Sequence, residues 1–539
     1  MSSHSIRSRP PEGDPPPVRV ERDADVLRGR LEDAAHFPGG HATELAVPVS
    51  EAQIADVLRR ATSVLPIGAQ SSLTGGATPM GELLISTARL NRIESIGATH
   101  VRVQAGVTLA ELDRALDRAG RYYPPSPTFF GAFVGGTVAT NAAGAGTFKY
   151  GTTRDWVDAL TILLPDGDVL DVERGATRAS ANGRFELQLA ERTVHIDVPR
   201  YRMPAVPKLS AGYFAAPGMD LIDLLIGSEG TLGIVTAVTL RVLPVRPAIC
   251  LAFVPFHDPR AALGFVGGLR DTAMATWQSH DQRGIDVAAI EQMDARCLAL
   301  IREDGVDRAN GVTVPPETQT ALLVTLELPS GTRPEQAFDE IGRARDSGAP
   351  DTPLTRFCRM LADAGALDSV EIAVPGDSGR AAQLLAVREA VPAAVNRRVG
   401  QAKMTVDPRI DKTAADMIVP FDKLDELLAV YDREFACRGL DAAVWGHVSD
   451  GNLHPNVIPR NFEDVVSGKE AVLQFGREVL RLGGAPLAEH GVGRNPTKQE
   501  LLRMMYGDEG IEEMRRIKRA IDPEWKLSPG VLFTSTSGL

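Results

Sequence analysis

Apolar residues recur at helical spacing in 45-LAVPVSEAQIADVLRRATS-63. An extended entry there leads into a helix whose stripe is Ile54, Val57 and Leu58, with Ser50 placed as N-cap. Short apolar runs flank a polar, glycine-rich loop and predict the strands 64-VLPIG-68 and 82-ELLIST-87. In 108-TLAELDRALDRAG-120 the helical period returns, with Thr108 to cap it and Gly120 to stop it. Strands and helices then alternate to 234-IVTAVTLRVLP-244, and Pro244 and Pro247 mark a boundary. Beyond it, 321-ALLVTLEL-328 reads as a strand, 379-GRAAQLLAVREAVPAAVNRR-398 as a helix and 497–523 as helical, ending at 527-LSPGVLF-533.

A chain of 539 residues is too long for one ordinary core. The expected division is a Pro-rich disordered tail at 1–20, a first domain at 21–247, an α+β domain on an antiparallel sheet at 248–475, and a helical C-terminal segment at 476–539. Net charge is −12 with no basic block, which argues against a nucleic-acid partner. The four cysteines are far apart, so neither a disulfide framework nor a thiolate zinc site is expected. With neither a signal-like core at the N-terminus nor an apolar run of roughly 18–20 residues, a cytoplasmic protein is expected, with peripheral membrane attachment open.

The loop 66-PIGAQSSLTGGATP-79 sets Gly68, Gly75 and Gly76 among hydroxyl residues, a composition that lets backbone N–H groups converge on an anion. It is neither GxGxxG nor GxxxxGK[ST], which argues against nicotinamide and NTPase sites. A second segment, 131-GAFVGGTVATNAAGAGTFKYG-151, carries Gly131, Gly135, Gly136, Gly144, Gly146 and Gly151. It is too poor in large side chains to build a core, and reads as backbone lying against a flat or extended ligand. A third, 227-GSEGTLGIVT-236, again sets glycines before a strand.

Together these loops resemble the vanillyl-alcohol-oxidase/PCMH-type FAD-binding domain, and the whole chain resembles the FAD-linked D-2-hydroxyacid dehydrogenases. The resemblance implies a two-subdomain FAD-binding fold and assigns three groups of residues to the cofactor. From the first loop come Pro66, Gly68, Ala69, Gln70, Ser71, Ser72, Leu73, Thr74 and Gly75. The second contributes Pro125, Gly135, Gly136, Thr140, Asn141, Gly144, Gly146 and Gly151, and the third Glu229, Gly230, Gly233 and Ile234. Histidine is absent between His41 and His100 and from 101 to 194, so a non-covalent FAD is expected.

In 447-HVSDGNLH-454 two of the ten histidines flank Asp450-Gly451, a pair suited to a type I′ turn. A two-residue loop would set His447 opposite His454, with Cβ atoms about 5 Å apart and Asn456 on the same face. Further on, 488-AEHGVGR-494 adds a carboxylate and an imidazole. Two histidines and a carboxylate suit zinc or a similar divalent ion. GHVSDGNLH and AEHGVGR resemble motifs of the dehydrogenase group. By that resemblance His447, His454 and Glu489 are metal ligands, His490 the base, Asn456 a substrate contact and Arg388 the clamp for a substrate carboxylate. Zinc is the expected ion, with manganese as the alternative.

Ser449 stands where the group has glycine, Pro455 follows the second histidine, and the group's lysine is unmatched in 411-DKTAADMIVP-420, where Lys412 is the nearest substitute. The reading is oxidation of a D-2-hydroxy acid, with electrons passed to a quinone, cytochrome or electron-transfer flavoprotein. A homodimer or a multi-subunit complex is open. Two rivals stand beside it: an alkylglycerone-phosphate-synthase-like transferase, which shares the scaffold and would show a histidine run at Ala488-Glu489, and a non-catalytic FAD-carrying subunit of an electron-transfer complex, which would lack the His447/His454/Glu489 set.

Overall fold

The computed structural model describes all residues except 1, 2, 14, 15, 126–128 and 535–539. The chain forms two compact units, Met1–Gly144 with Gly151–Pro244 and Ala485–Leu539, and Ala145–Tyr150 with Val245–Gly484. Helix Phe462–Arg481 lies inside the second unit, and residues 485–539 are counted with the first unit.

In the first unit, Leu45–Ala46, Leu83–Ser86 and Val64–Ile67 pair in parallel, and Val20–Glu21 joins antiparallel at the edge. Helix Glu51–Arg60 buries Ile54, Val57 and Leu58, and Ser50 Oγ accepts the Gln53 N–H. A second sheet is antiparallel, in the order Val169–Glu173, Val157–Leu163, Ile234–Arg241, His100–Gln104, Ile93–Ile96. Helix Leu109–Arg118 begins in a Thr108–Glu111 capping box. Where a disordered tail is expected, Ser5–Arg7 forms a strand parallel to Arg184–Gln188, and Ser8 Oγ donates to Asp168. Those backbone bonds outweigh a Pro-rich composition that is locally unfavourable to order. The C-terminal helix Pro496–Ile521 breaks at Gly507.

The second unit is built on a seven-stranded antiparallel sheet, in the order Glu371–Ala373, Ala248–Phe256, Thr320–Leu328, Val287–Asp294, Ala442–His447, Asn452–Val457, Met417–Ile418. Leu251, Phe253, Met293, Leu323, Ala443 and Trp445 form the apolar face. Helices Ala295–Glu303 and Ser378–Thr405 cover it through Leu298, Ile301, Leu384, Val387 and Val391. Pro392 lies inside the long helix and offers no N–H to the carbonyl of Arg388 one turn earlier.

Candidate active site

A cavity of about 290 Å³ opens in the first unit, close to the size usual for small-molecule sites. Fourteen of the residues assigned to the cofactor line it: Pro66, Gly68, Ala69, Gln70, Ser71, Ser72, Leu73, Gly135, Gly136, Thr140, Glu229, Gly230, Gly233 and Ile234. Phe129, Phe133, Glu489 and His490 line it too. The others sit elsewhere. Thr74 and Gly75 pack behind the loop, against Ser72 and Phe37. Asn141 takes the Arg154 N–H on Oδ1, a structural duty, and Gly151 backs onto Asp155. Pro125 and Gly144 are buried without lining the cavity. Gly146 belongs to the second unit.

The cavity wall fits an extended anionic ligand. Gln70 donates from Nε2 to the carbonyls of Arg30 and Ala77, both at 2.9 Å, which pins the first loop in an open curve. Among the described residues no protein acceptor is found for the N–H groups of Ala69, Gln70, Ser71, Ser72 and Leu73. A run of such donors makes a concavity suited to phosphate. At Gly136 an added Cβ would meet nothing within 4 Å, so a side chain there would stand in the space the cavity keeps open. Among the described residues, His490 is the only histidine in the lining and no cysteine lines it.

The loop Glu489–Arg494 is fastened within this unit. Glu229, half-buried in the cavity wall, takes the Val492 N–H on Oε1 and the Gly493 N–H on Oε2, both at 2.8 Å. Burial pushes its carboxyl up to about 7 against the pull of those two donors. Arg494 donates to Glu82 Oε1 and to the Pro529 carbonyl, each at 2.6 Å. Lys208, buried, reaches Glu489 Oε2 at 3.0 Å, and His490 Nε2 lies 3.4 Å from Glu489 Oε1.

In the second unit the histidine hairpin departs from the expected type I′ turn. The register pairs Trp445 with His454 and His447 with Asn452, so the loop is four residues long. Val448–Asp450 makes a 3₁₀ turn, Gly451 follows at φ 85°, and Ser449 Oγ accepts the Ile290 N–H at 3.1 Å. That bond anchors the longer loop to the neighbouring strand. The imidazoles are therefore diagonal neighbours on one face, with ring centroids 5.5 Å apart and planes at 87°. Asn456 shares that face, opposite Ala443, and its buried Oδ1 has no hydrogen-bond partner among the described residues.

Each imidazole meets a carboxylate. His447 Nδ1 lies 3.3 Å from Glu291 Oε1, and His454 Nδ1 lies 3.5 Å from Asp416 Oδ1. Asp416 Oδ1 also accepts from Asn452 Nδ2 at 3.0 Å. Arg388 sets Nε and Nη2 on Glu291 Oε2, at 2.9 and 2.8 Å. Burial alone would raise the Glu291 carboxyl, but the Arg388 guanidinium and His447 hold it well below the usual carboxylate range. Arg388, expected to clamp a substrate, thus also neutralises a protein carboxylate. Lys412 is half-buried in the same unit.

Sequence reasoning passed over Glu291, Asp416 and Lys208. Glu291 is the lone charge within 287-VAAIEQM-293, and a carboxylate in an otherwise apolar central strand is a usable signal. Asp416 lies inside a stretch read only for its lysine. Nothing in the local pattern marks Lys208.

An extended-ligand cavity in one unit and a paired-imidazole face in the other define a two-part flavoprotein oxidoreductase. Residues 43–173 match the FAD binding domain, and residues 260–532 match the C-terminal domain of FAD linked oxidases. The chain belongs to the FAD linked oxidases, with the PCMH-type fold. Among its relatives is a D-lactate dehydrogenase of Anaerostipes hadrus, 29% identical over 87% of this chain and 83% of that protein. The mitochondrial D-2-hydroxyglutarate dehydrogenase of Bos taurus is 26% identical over 95% of this chain and 81% of that one. A solved alkyldihydroxyacetonephosphate synthase shares the fold, with a TM-score of 0.57 at 14% identity over 95% of this chain and 82% of that chain. Among the described residues no helix is long and apolar enough to cross a membrane.

Proposed function

We propose that this protein oxidises a D-2-hydroxy acid of the D-lactate, D-2-hydroxyglutarate or glycolate type to its 2-oxo acid. The observation that carries this reading is the pair of buried imidazoles on one sheet face, each backed by a carboxylate at Nδ1. Such a pair is the protein half of a divalent-metal site. Bound FAD supplies the acceptor for the Cα hydrogen, and a bound zinc or manganese ion supplies Lewis acidity at the substrate hydroxyl. His447, His454 and Glu489 are the residues proposed to hold the ion. His490 takes the hydroxyl proton on an imidazole nitrogen. Asn456 orients the substrate through its side-chain amide. Arg388 meets the substrate carboxylate with guanidinium N–H groups other than the two that face Glu291.

The first-loop N–H groups hold the diphosphate of a non-covalent FAD. Its electrons leave to a quinone, cytochrome or electron-transfer flavoprotein, either in the cytoplasm or at a membrane surface. The test is anaerobic bleaching of the flavin near 450 nm by a panel of D- and L-2-hydroxy acids. Rapid bleaching by one D-acid, lost on chelation and restored by zinc or manganese, is the expected result. Bleaching indifferent to thorough metal removal would refute the metal assignment, and no bleaching by any acid would refute the reaction.

A further inference from the structure

His490 stands on the loop Glu489–Arg494, which belongs to no helix or strand, so the fastening of that loop decides where the imidazole sits. Glu229 supplies much of the fastening. Its Oε1 accepts the Val492 N–H and its Oε2 the Gly493 N–H, each at 2.8 Å. A Cβ added at Gly491 would fall 2.8 Å from Oε1, so the loop runs closely around the carboxylate. The N–H of Glu229 itself donates to the Ala139 carbonyl at 2.8 Å, and Ala139, Glu229 and His490 line one cavity. A single residue therefore joins the loop of His490 to the second and third glycine-rich segments.

The backbone at Glu229 points the same way. Its φ is 51°, in the left-handed region where glycine or asparagine is the usual occupant and glutamate is not. A strained residue of this kind persists where its surroundings hold it, and such residues gather at functional sites. What glutamate brings that glycine and asparagine lack is a carboxylate on a two-carbon stem, and here both oxygens meet the loop.

We propose that Glu229 is a positioning residue for the reaction, acting through the backbone of Val492 and Gly493 to hold His490 at the cavity. An ionised carboxylate accepts on both oxygens, so two successive N–H groups fix the place and the tilt of the loop together. The cofactor cavity and the proton acceptor are then built on one framework within this unit. The inference rests on His490 as the proton acceptor proposed above.

The experiment compares wild type, Glu229→Gln, His490→Gln and the double variant. Each is loaded with FAD and reduced anaerobically in a stopped-flow instrument by D-lactate or D-2-hydroxyglutarate, whichever reduces wild type faster. Glutamine keeps the shape but turns an NH₂ group toward one of the two backbone donors. Glu229→Gln should keep its FAD and half-saturate within about twofold of wild type, while its limiting reduction rate falls about a hundredfold. His490→Gln should fall at least as far, and the double variant should be no slower than His490→Gln, because Glu229 acts through that ring. Falls that multiply in the double variant would overturn the proposal. So would a wild-type rate in Glu229→Gln, or loss of its FAD with a wild-type rate in the fraction still loaded. A wild-type rate in His490→Gln would instead remove the proton acceptor, and no reduction of wild type by either acid the reaction itself, each taking this inference with it.

If Glu229→Gln does not fold, wild type decides the question. Hydrogen exchange of the FAD-loaded protein, resolved to single amides, should find Val492 and Gly493 roughly a hundredfold or more slower than a free chain. Exchange at free-chain rates would overturn the proposal.

Discussion

Gly493→Ala should be among the most damaging single-methyl additions in the first unit. Gly493 has φ 59°, and an added Cβ would fall 2.3 Å from Thr74 Oγ1 and 2.4 Å from the Thr74 carbonyl oxygen. The left-handed conformation alone costs an alanine about 1–2 kcal/mol. The hydroxyl can rotate away, but the carbonyl is backbone, so one loop must move. That movement strains three hydrogen bonds: Gly493 N–H to Glu229, Leu532 N–H to the Gly493 carbonyl, and Arg494 N–H to the Thr74 carbonyl. At roughly 1 kcal/mol each, the total loss is about 4–5 kcal/mol. His490 lies three residues away on the same loop, so turnover should fall about a hundredfold or more, the scale of misplacing a catalytic group by an ångström. The control is Gly175→Ala, with φ 84° and nothing within 4 Å of the added Cβ, where only the conformational cost applies. Urea unfolding followed by far-UV ellipticity and flavin fluorescence would compare the two. Two probes are needed because a two-unit chain need not unfold in one step. A Gly493→Ala protein within 1 kcal/mol of Gly175→Ala, with full FAD content, would refute the reasoning.

Three further outcomes are expected. Burial lowers Lys518 from its ordinary 10.5 to about 8, although Asp522 pulls the other way. The folded chain therefore binds fewer protons than the unfolded chain between those values. This group makes stability rise with pH across that window, by up to about 3 kcal/mol; urea midpoints at pH 8 and 10 should show Lys518→Met losing that increment. Arg388→Met strands the buried Glu291 carboxylate and should cost about 3–5 kcal/mol, while Arg388→Met with Glu291→Met should recover most of it, read as melting temperatures. Gly446→Ala would put a Cβ 2.6 Å from the Asn452 carbonyl oxygen and 3.1 Å from His454 Cδ2. Chelator-competition titration should find its metal affinity at least tenfold weaker.

What the sequence made legible was local. The Ser50 and Thr108 caps, the stripe of helix Glu51–Arg60 and the strands that flank the first glycine-rich loop rest on contacts a few residues apart, and periodicity reads such contacts well. The glycine-rich loops were legible for a different reason, since a run of residues without bulk has few uses other than close approach to a ligand. The ordered N-terminal strand was not legible. Its composition argues for disorder, and what holds it is a partner strand at Arg184–Gln188. Lys208 was hidden for the same reason, because the carboxylate that justifies burying its charge is Glu489, 281 residues further on.

The histidine hairpin shows where local reasoning stops. Asp450-Gly451 is a sound turn signal, and Gly451 does take a positive φ. Turn chemistry alone, however, does not choose between a two-residue and a four-residue loop. Here the choice is made by Ser449, whose hydroxyl accepts an N–H from Ile290, 159 residues earlier, and by Asp450, whose carboxylate takes the Asn452 N–H. The longer loop shifts the pairing by two residues, so every side chain keeps its face. That parity is why His447 and His454 still meet although the predicted opposition fails. A shift by one residue would have sent one imidazole to the other face of the sheet, so the site depends on the parity of the register and tolerates its exact value.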